Sequence, residues 1–183
     1  IQTRCTRGAE ISRQLRFSEG VAQGIHSLDE HWNGQGRPMA LQGDAIPVYA
    51  RIALMAQVID LINASNGRDA ALSEIRQRSG KWFDPHLVDT FVAVAEDNTF
   101  WTTLNSLEVE SRVFAMEPGD QETALDEDYL DEIAEAFGKV VDAKSPYTAG
   151  HSARVGLYTA LLAESLGLPE PRRRWLKRGA LLH

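Results

Sequence analysis

The chain has 183 residues, of which 43% are hydrophobic and 25% charged, a balance typical of a folded globular protein rather than a disordered one. The formal net charge of -7 argues against bulk attraction to nucleic acid or to an anionic membrane. A single cysteine, Cys5, excludes a disulfide framework within the chain and a cysteine-based zinc cluster. No apolar run approaches the roughly 20 residues that cross a bilayer, and no signal peptide is recognisable, so we expect a cytoplasmic protein.

The charge is unevenly distributed along the chain. Residues 108–135 contain 11 of the 26 acidic residues and one basic residue, whereas residues 136–183 contain three acidic and eight basic residues. The acidic block includes the turn-forming sequence Glu117-Pro-Gly-Asp120, which favours a solvated linker over an acidic interaction tail. We therefore place an acidic linker at 105–127, between a segment over 1–104 and a segment over 128–183.

Helical patterns follow one another through the first segment. Residues 8–26 carry apolar side chains at helical spacing, with an interruption near Ser18 that favours two helices. A loop rich in glycine and proline follows at 33–47. The next helix starts near Pro47 and ends near Asn66, and because it is apolar nearly all round we expect it to be central and buried.

Further helices are expected on both sides of the linker. Two of them cover 69–79 and 85–96, and Asp84 precedes the second in the manner of an N-cap. Beyond the linker, Asp126 or Asp128 is expected to cap a helix that carries Ile133, Phe137, Val140 and Val141 at a spacing that places them on one face. Helices over 152–166 and from about 171 to the end complete the pattern. No segment alternates with period two, so the fold class is all-α.

Among the five histidines, His151 and His183 are the first candidates for chemistry. His151 follows a glycine at an expected helix start, with Arg154 beside it. His183 ends an apolar run, which predicts a buried imidazole that needs a metal ion or a hydrogen-bond acceptor as its partner. A solitary helical histidine is more often a surface or hydrogen-bonded core residue, and His26 and His86 are assigned to that class.

Carboxylates supply a second set of candidates. Asp60 lies in the middle of the most apolar helix, where a buried carboxylate is costly unless it is paired or coordinated. It is either a metal ligand or base, or the partner of an arginine such as Arg51. Asp29 and His31 precede the glycine-rich loop, where they form either a metal site or a set of solvated capping charges.

A basic run at Arg172–Arg174 is a candidate for phosphate or nucleic-acid contact. In so acidic a chain a solvated helix face is the favoured explanation, and nucleic acid is not expected as a partner. The four tryptophans are expected to anchor the core or an interface rather than to form a stacking platform.

Three segments near the end of the chain resemble the opening half of an HD-GYP domain. They are Asp142-Ala-Lys-Ser-Pro-Tyr-Thr-Ala-Gly-His-Ser-Ala-Arg-Val155, Ala163-Glu-Ser-Leu-Gly-Leu168 and Ala180-Leu-Leu-His183. This family consists of all-helical, metal-dependent phosphohydrolases of the HD superfamily, many of which hydrolyse cyclic di-GMP. In the family an Asp follows the histidine that matches His183.

Residues 1–104 resemble the closing half of the same kind of domain. Glu30-His-Trp-Asn-Gly-Gln-Gly-Arg-Pro38 matches the family's glycine loop, and Ile46-Pro-Val-Tyr-Ala-Arg-Ile52 matches the helix that follows it. A closing half, a linker and an opening half, in that order, predict a piece of a protein with two tandem HD-type domains. A circular permutation is disfavoured, because the middle His-Asp segment of both domains is absent.

The first segment departs from the family pattern at its metal ligands. Two adjacent histidines usually precede the loop, and here those positions are Leu28 and Asp29. The family's metal-binding Asp falls on Gln57, while Asp60 matches a second Asp that is not a ligand. An amide is a poorer ligand than a carboxylate for a hard divalent cation, so we expect the usual metal site to be lost. Asp29, His31 and Asp60 are the candidates for a rebuilt one.

The resemblance implies a function for the second segment. His151 and His183 match the family's first ligand histidines, so they are expected to bind divalent ions such as iron or manganese, with Arg154 and Arg37 as candidate substrate contacts. The expected function of the full-length protein is a metal-dependent phosphodiesterase acting on cyclic di-GMP or another phosphoester. The isolated chain, with an incomplete site, is not expected to hydrolyse it.

The alternative is a degenerate HD module that acts as a sensor, a ligand-binding module or a dimerisation domain. A homodimer is one candidate assembly.

Overall fold

The computed structural model describes residues 2–117, 124–143 and 150–183, and these ranges form ten α-helices. The helices are α1 (Gln2–Gln14), α2 (Glu19–His26), α3 (Val48–Asn66), α4 (Arg68–Gln77), α5 (Pro85–Ala95), α6 (Asn98–Leu104), α7 (Val109–Ala115), α8 (Glu127–Asp142), α9 (His151–Ser165) and α10 (Glu170–Leu181). Other regular features of these ranges are a 3-10 turn at Gly43–Ala45 and two isolated β-bridges. The all-α class expected from the sequence is confirmed.

The chain divides into two compact units. The first comprises residues 1–9 and 18–122, and the second comprises residues 10–17 and 123–183. The two ends of α1 therefore belong to different units. Residues 118–120 of the predicted turn lie outside the described residues. The boundaries of two half-domains and a linker, drawn from the sequence, stay a prediction.

Helix starts follow the capping signals in the sequence. Ser18 caps α2 and so separates it from α1. Asp84 accepts a hydrogen bond from a first-turn N–H of α5 at 2.9 Å, and Asp126 accepts one from α8 at 2.7 Å. Each cap satisfies an N–H group that the helix itself leaves without a partner. The predicted interruption and both caps are confirmed.

The core of the first unit is built on α3 to α6. Its buried members are Leu54, Met55, Ile59, Ile75, Phe83, Val88, Ala95 and Trp101. The indole Nε1–H of Trp101 donates to the carbonyl of Ala95 at 2.9 Å, and Phe91 and Phe100 contact the indole edge-on. Trp101 is thus the core anchor that was predicted, because its polar group has a partner inside the apolar cluster.

α3 is not buried on all sides, contrary to the prediction. It buries Ala50, Leu54, Met55 and Ile59, but Ile52 and Leu61 are 47% and 67% exposed. Within the first unit α3 packs mainly against α4 and α2. An apolar composition all round therefore did not predict burial here, since neighbours cover only part of the helix.

The loop between α2 and α3 is held in place by Glu30. Its buried carboxylate accepts hydrogen bonds from the N–H groups of Met39 at 2.5 Å and Leu41 at 2.9 Å, which offsets the cost of burying the charge. A Cβ atom at Gly36 would lie 2.1 Å from the backbone nitrogen of His31. The loop therefore folds back so closely on the end of α2 that only glycine fits at this position.

In the second unit α8, α9 and α10 approach one another through small residues. Gly138 of α8 and Gly156 of α9 both lie against Leu181, the last residue of α10. An added Cβ would lie 3.2 Å from the Leu181 carbonyl oxygen at Gly138, and 3.1 Å from its Cδ2 at Gly156. The three helices are therefore close at the end that carries the two candidate histidines.

The predicted apolar face of α8 is largely exposed. Phe137, Val140 and Val141 are between 41% and 53% exposed, whereas the buried residues of the helix are Ala134, Ala136 and Gly138. Close helix packing selects small side chains at the contact, so the large apolar residues of α8 fall outside it.

Basic residues of α10 pair with acidic residues of α8. Asp131 accepts hydrogen bonds from Arg174 at 2.9 Å and from Arg178, and Lys177 reaches Glu135 at 2.9 Å. These charges were predicted to belong to a solvated helix face and to an acidic block. The structure instead uses them to join two helices of the second unit.

Candidate metal centre

His151 and His183 face each other across the second unit. His151 is the first residue of α9, and His183 follows the end of α10. Their Nε2 atoms lie 3.2 Å apart, and their ring centroids are 5.2 Å apart at an angle of 51°. Two residues separated by 32 positions in the sequence are thus brought together by the convergence of α9 and α10.

The second nitrogen of His183 fixes the orientation of its ring. Nδ1 lies 2.7 Å from the carbonyl oxygen of Ala180, which can only accept, so Nδ1 carries the proton and donates it. The lone pair of His183 is then on Nε2, which faces His151. His183 is exposed, so the predicted burial of its imidazole is wrong, while a hydrogen-bond acceptor of the kind expected is present.

The pair fits one edge of a divalent metal site. Nitrogen ligands of zinc-type ions bind at about 2.0–2.1 Å, so two ligands of one ion at angles of about 90–110° are about 2.8–3.4 Å apart. The observed separation of 3.2 Å lies in this interval. A backbone carbonyl that holds the outer ring nitrogen is also the usual environment of a metal-binding histidine.

Asp142 and Ser152 lie beside this pair, and the sequence reasoning did not single them out. Asp142 is the last residue of α8, and its Oδ1 accepts a hydrogen bond from the Ser152 hydroxyl at 2.8 Å. Burial acts to raise the pKa of Asp142, but hydrogen bonds from Ser152 and Gly150 and the nearby His151 together outweigh it and hold that pKa below its ordinary value. The signal available in the sequence was the place of Asp142 at the start of the HD-GYP-like motif.

Arg154 lies one turn into α9, on the exposed side of the helix start. Its Nη1 would lie 3.2 Å from a Cβ atom built on Gly150, the residue before His151. The guanidinium therefore lies over the backbone of Gly150, and its role as a phosphate contact stays a prediction.

Asp29 of the first unit is committed to other partners. Arg4 Nη2 donates to both of its carboxylate oxygens, at 2.7 and 2.5 Å, and the Cys5 thiol donates to Oδ2 at 3.4 Å. The backbone carbonyl of Asp29 also accepts the N–H of Arg37 at 3.0 Å. The Arg4 guanidinium thus already pairs with the carboxylate that a metal ion would need.

His31 is likewise engaged elsewhere. Its ring stacks on Trp82 with centroids 4.3 Å apart and planes 18° apart, and the Arg78 guanidinium also lies over the Trp82 ring, 3.8 Å from its centroid. Burial lowers the pKa of His31 below 6.5, although Asp29 and Glu30 oppose this change. The His31 imidazole is therefore part of a packed aromatic stack.

Asp60 does not lie where the sequence placed it. Its side chain is exposed on α3, so the premise of a buried carboxylate is wrong. Arg51, its suggested partner, instead binds Asp84 at 2.8 Å and Asp44 at 3.0 Å. The cause is the partial exposure of α3, which leaves Asp60 in contact with water.

The described residues hold no group of three or more His, Cys, Asp or Glu side chains that is arranged for a metal ion. Asp29, His31 and Asp60 are therefore not brought together, and these residues do not fit a metal site. Arg37 is exposed in the glycine loop. His151 and His183 are a pair, which fits part of a site.

An all-helical fold and a histidine pair at the ends of two adjoining helices agree with the HD-type domain that the sequence resembles. A family model described as "HD domain" matches residues 1–87. The chain is 55% identical over its whole length to "3'3'-cGAMP-specific phosphodiesterase 3" of Vibrio cholerae, of which it covers 40%. It is 38% identical over 37% of its length to "Cyclic di-GMP phosphodiesterase" of the same species, of which it covers 15%.

A solved structure gives the same result. The crystal structure of a cyclic GMP-AMP-specific phosphodiesterase of V. cholerae superimposes with a TM-score of 0.81 at 54% identity, over 100% of this chain and 44% of that chain. These matches confirm the resemblance to the HD superfamily that was noted in the sequence. Phosphohydrolases of this family are metal-dependent.

The chain spans about two fifths of the length of its full-length relative. Among the described residues no helix is long and apolar enough to cross a membrane.

Proposed function

We propose that this chain supplies part of the active site of a metal-dependent phosphodiesterase that hydrolyses cyclic dinucleotides. The observation that carries the proposal is the pair of Nε2 atoms of His151 and His183, 3.2 Å apart. Among cyclic dinucleotides, 3'3'-cGAMP is the first candidate, because the relative with that name matches the whole chain. Cyclic di-GMP, the substrate expected from the sequence, is the second, since the relative named for it matches 37% of the chain.

The residues of the second unit have defined tasks in this proposal. His151 and His183 would hold one divalent ion, such as iron or manganese, and the Ala180 carbonyl keeps the His183 lone pair directed at the site. The ion, when bound, lowers the pKa of a water molecule and polarises a phosphoryl oxygen. Arg154 would contact a substrate phosphate. The remaining ligands would come from outside the described residues.

The same proposal covers the organisation of the chain. Residues 1–104 would be the closing half of a degenerate HD-type domain, 105–127 an acidic linker, and 128–183 the opening half of a second domain. The order of the motifs supports these boundaries, and the engagement of Asp29 by Arg4 supports the loss of the first metal site. We place the protein in the cytoplasm, where cyclic dinucleotides act as signals, and a homodimer remains a prediction.

The test uses the full-length protein that contains this chain, loaded with Mn²⁺ and supplied with 3'3'-cGAMP or cyclic di-GMP. We expect a linear dinucleotide product, and we expect His151→Ala to lower turnover by roughly 100-fold through loss of a metal ligand. His86→Ala, which removes an exposed imidazole from α5, is the matched control and should keep full activity. Unchanged turnover in His151→Ala, or no turnover of either substrate by metal-loaded protein, would contradict the proposal.

A further inference from the structure

The start of α9 has an unusual cap. The residue before it, Gly150, has a left-handed backbone (φ 71°) and no side chain to accept hydrogen bonds from the first turn. The carboxylate of Asp142, at the end of α8, takes that role. It accepts the N–H of Ser152 at 3.2 and 3.3 Å on its two oxygens, and it also accepts the N–H of Gly150.

The same carboxylate binds the side chain of the helix it caps. The Ser152 hydroxyl donates to Asp142 Oδ1 at 2.8 Å, and Ser152 is 2% exposed. A buried hydroxyl and a buried N–H are costly if their acceptor is removed, so the contact is hard to replace by water. His151 lies between Gly150 and Ser152, the two residues whose N–H groups are held.

We propose that Asp142 is a positioning residue that fixes the first turn of α9 and thereby sets His151 Nε2 opposite His183 Nε2. The first turn of a helix frays readily when its N–H groups have no acceptor. His183 is held separately, by Ala180 of its own helix. Without Asp142, one member of the pair would be mobile and the other fixed, and chelation of a cation by both would weaken.

Asp142 acts here through hydrogen bonds and not as a ligand of the cation. Both of its oxygens accept from Ser152, so both already have hydrogen-bond donors. Aspartate and asparagine both present an acceptor oxygen to helix N–H groups. A substitution to Asn should therefore retain the cap, whereas a substitution to Ala should not.

The experiment compares Asp142→Ala, Asp142→Asn and Ser152→Ala in this chain. Amide hydrogen exchange over residues 150–154 reports the cap directly, and calorimetric titration with Zn²⁺ reports the histidine pair, with His151→Ala giving the background. Asp89→Ala, which removes an exposed carboxylate from α5, is the matched control. We expect Asp142→Ala to speed exchange in this turn and to weaken Zn²⁺ binding by about 10-fold. Asp142→Asn should stay within about threefold of the wild type.

Each outcome bears on the inference, which rests on the proposed metal role only for its second readout. Unchanged exchange and unchanged Zn²⁺ binding in Asp142→Ala overturn it, as does an Asn variant as impaired as the Ala variant. Faster exchange in a protein that binds no Zn²⁺ even as wild type supports the positioning role and refutes the metal role. Ser152→Ala removes one of the bonds, so a smaller change of the same sign is expected even if Asp142→Ala does not fold.

Discussion

In the first unit, an ion pair takes up a carboxylate that was a candidate metal ligand. Asp29 stands where the family has a histidine, and Arg4 donates to both of its oxygens. The positive charge that a metal ion would bring is thus supplied by a side chain 25 residues earlier. His31 is no substitute, because its ring is stacked on Trp82.

This difference between the units predicts where metal binds. His151→Ala should reduce the metal content of the full-length protein reconstituted with Mn²⁺, because it removes a nitrogen that faces the site. His31→Ala should leave the metal content unchanged, because that ring packs on an indole. Elemental analysis after gel filtration measures both. Equal losses in the two variants would show that the first unit also holds an ion.

The histidine pair of the second unit could be predicted from the sequence, but the Arg4–Asp29 ion pair of the first unit could not. His151 and His183 belong to a motif with fixed spacing, and that spacing carried the inference. The Arg4–Asp29 bond joins residues that no local pattern relates, and it forms only because α1 lies against the end of α2 in the first unit. Asp60 shows the opposite case. Its apolar neighbours in the sequence predicted that it would be buried, but its side chain is exposed on α3.

At the scale of elements, small residues decide how closely helices approach. The contact of Gly138 and Gly156 with Leu181 brings the start of α9 and the end of α10 together. The helix starts were predictable because caps are local hydrogen bonds. The buried face of α8 was not, because helical spacing shows that apolar residues share a face but not that the contact selects glycine and alanine.

Enlarging Gly138 should separate these helices. Gly138→Leu introduces a side chain where even a Cβ would lie 3.2 Å from the Leu181 carbonyl oxygen and 3.4 Å from Ser152 Cβ. We expect a loss of about 1–3 kcal/mol in the free energy of unfolding of the second unit, together with weaker Zn²⁺ binding by the pair. Urea unfolding followed by Trp175 fluorescence measures the first effect. Gly179→Ala in α10, with no atom within 4 Å of the added Cβ, is the control and should not destabilise. A Gly138→Leu variant as stable as the wild type would refute this account of the packing.

At the scale of the whole chain, the uneven charge distribution allows acidic and basic segments to pair with each other. The acidic block and the basic run were read from the sequence as a linker and a solvated face. Asp131 of the acidic block instead forms ion pairs with Arg174 and Arg178 of α10. Some of the acidic residues are therefore partners of the basic ones. Composition alone could not show this, because pairing depends on which helices adjoin.

The pairing predicts a loss of stability in acid. Burial acts to raise the pKa of Asp131, but hydrogen bonds from Arg178 and Arg174 outweigh it and leave that pKa below 3.8. Its contribution is therefore fully present above the ordinary pKa and is lost as the pH falls through the lowered one. Thermal unfolding of the second unit between pH 2 and 6 should show this loss in the wild type and a smaller one in Asp131→Asn. Identical pH profiles would contradict the prediction, and Asp89→Asn serves as the exposed-carboxylate control.

The convergence of α9 and α10 on Leu181 has a consequence for how this unit can evolve. The two histidines sit at helix ends, so their separation depends on helix length rather than on surface residues. One residue inserted within α10 would shift its end by about 1.5 Å and turn it by about 100°. Leu181 would leave the two glycines, and His183 would turn away from His151. Point substitutions on the outer faces are therefore compatible with an intact pair, whereas insertions and deletions inside these helices are not.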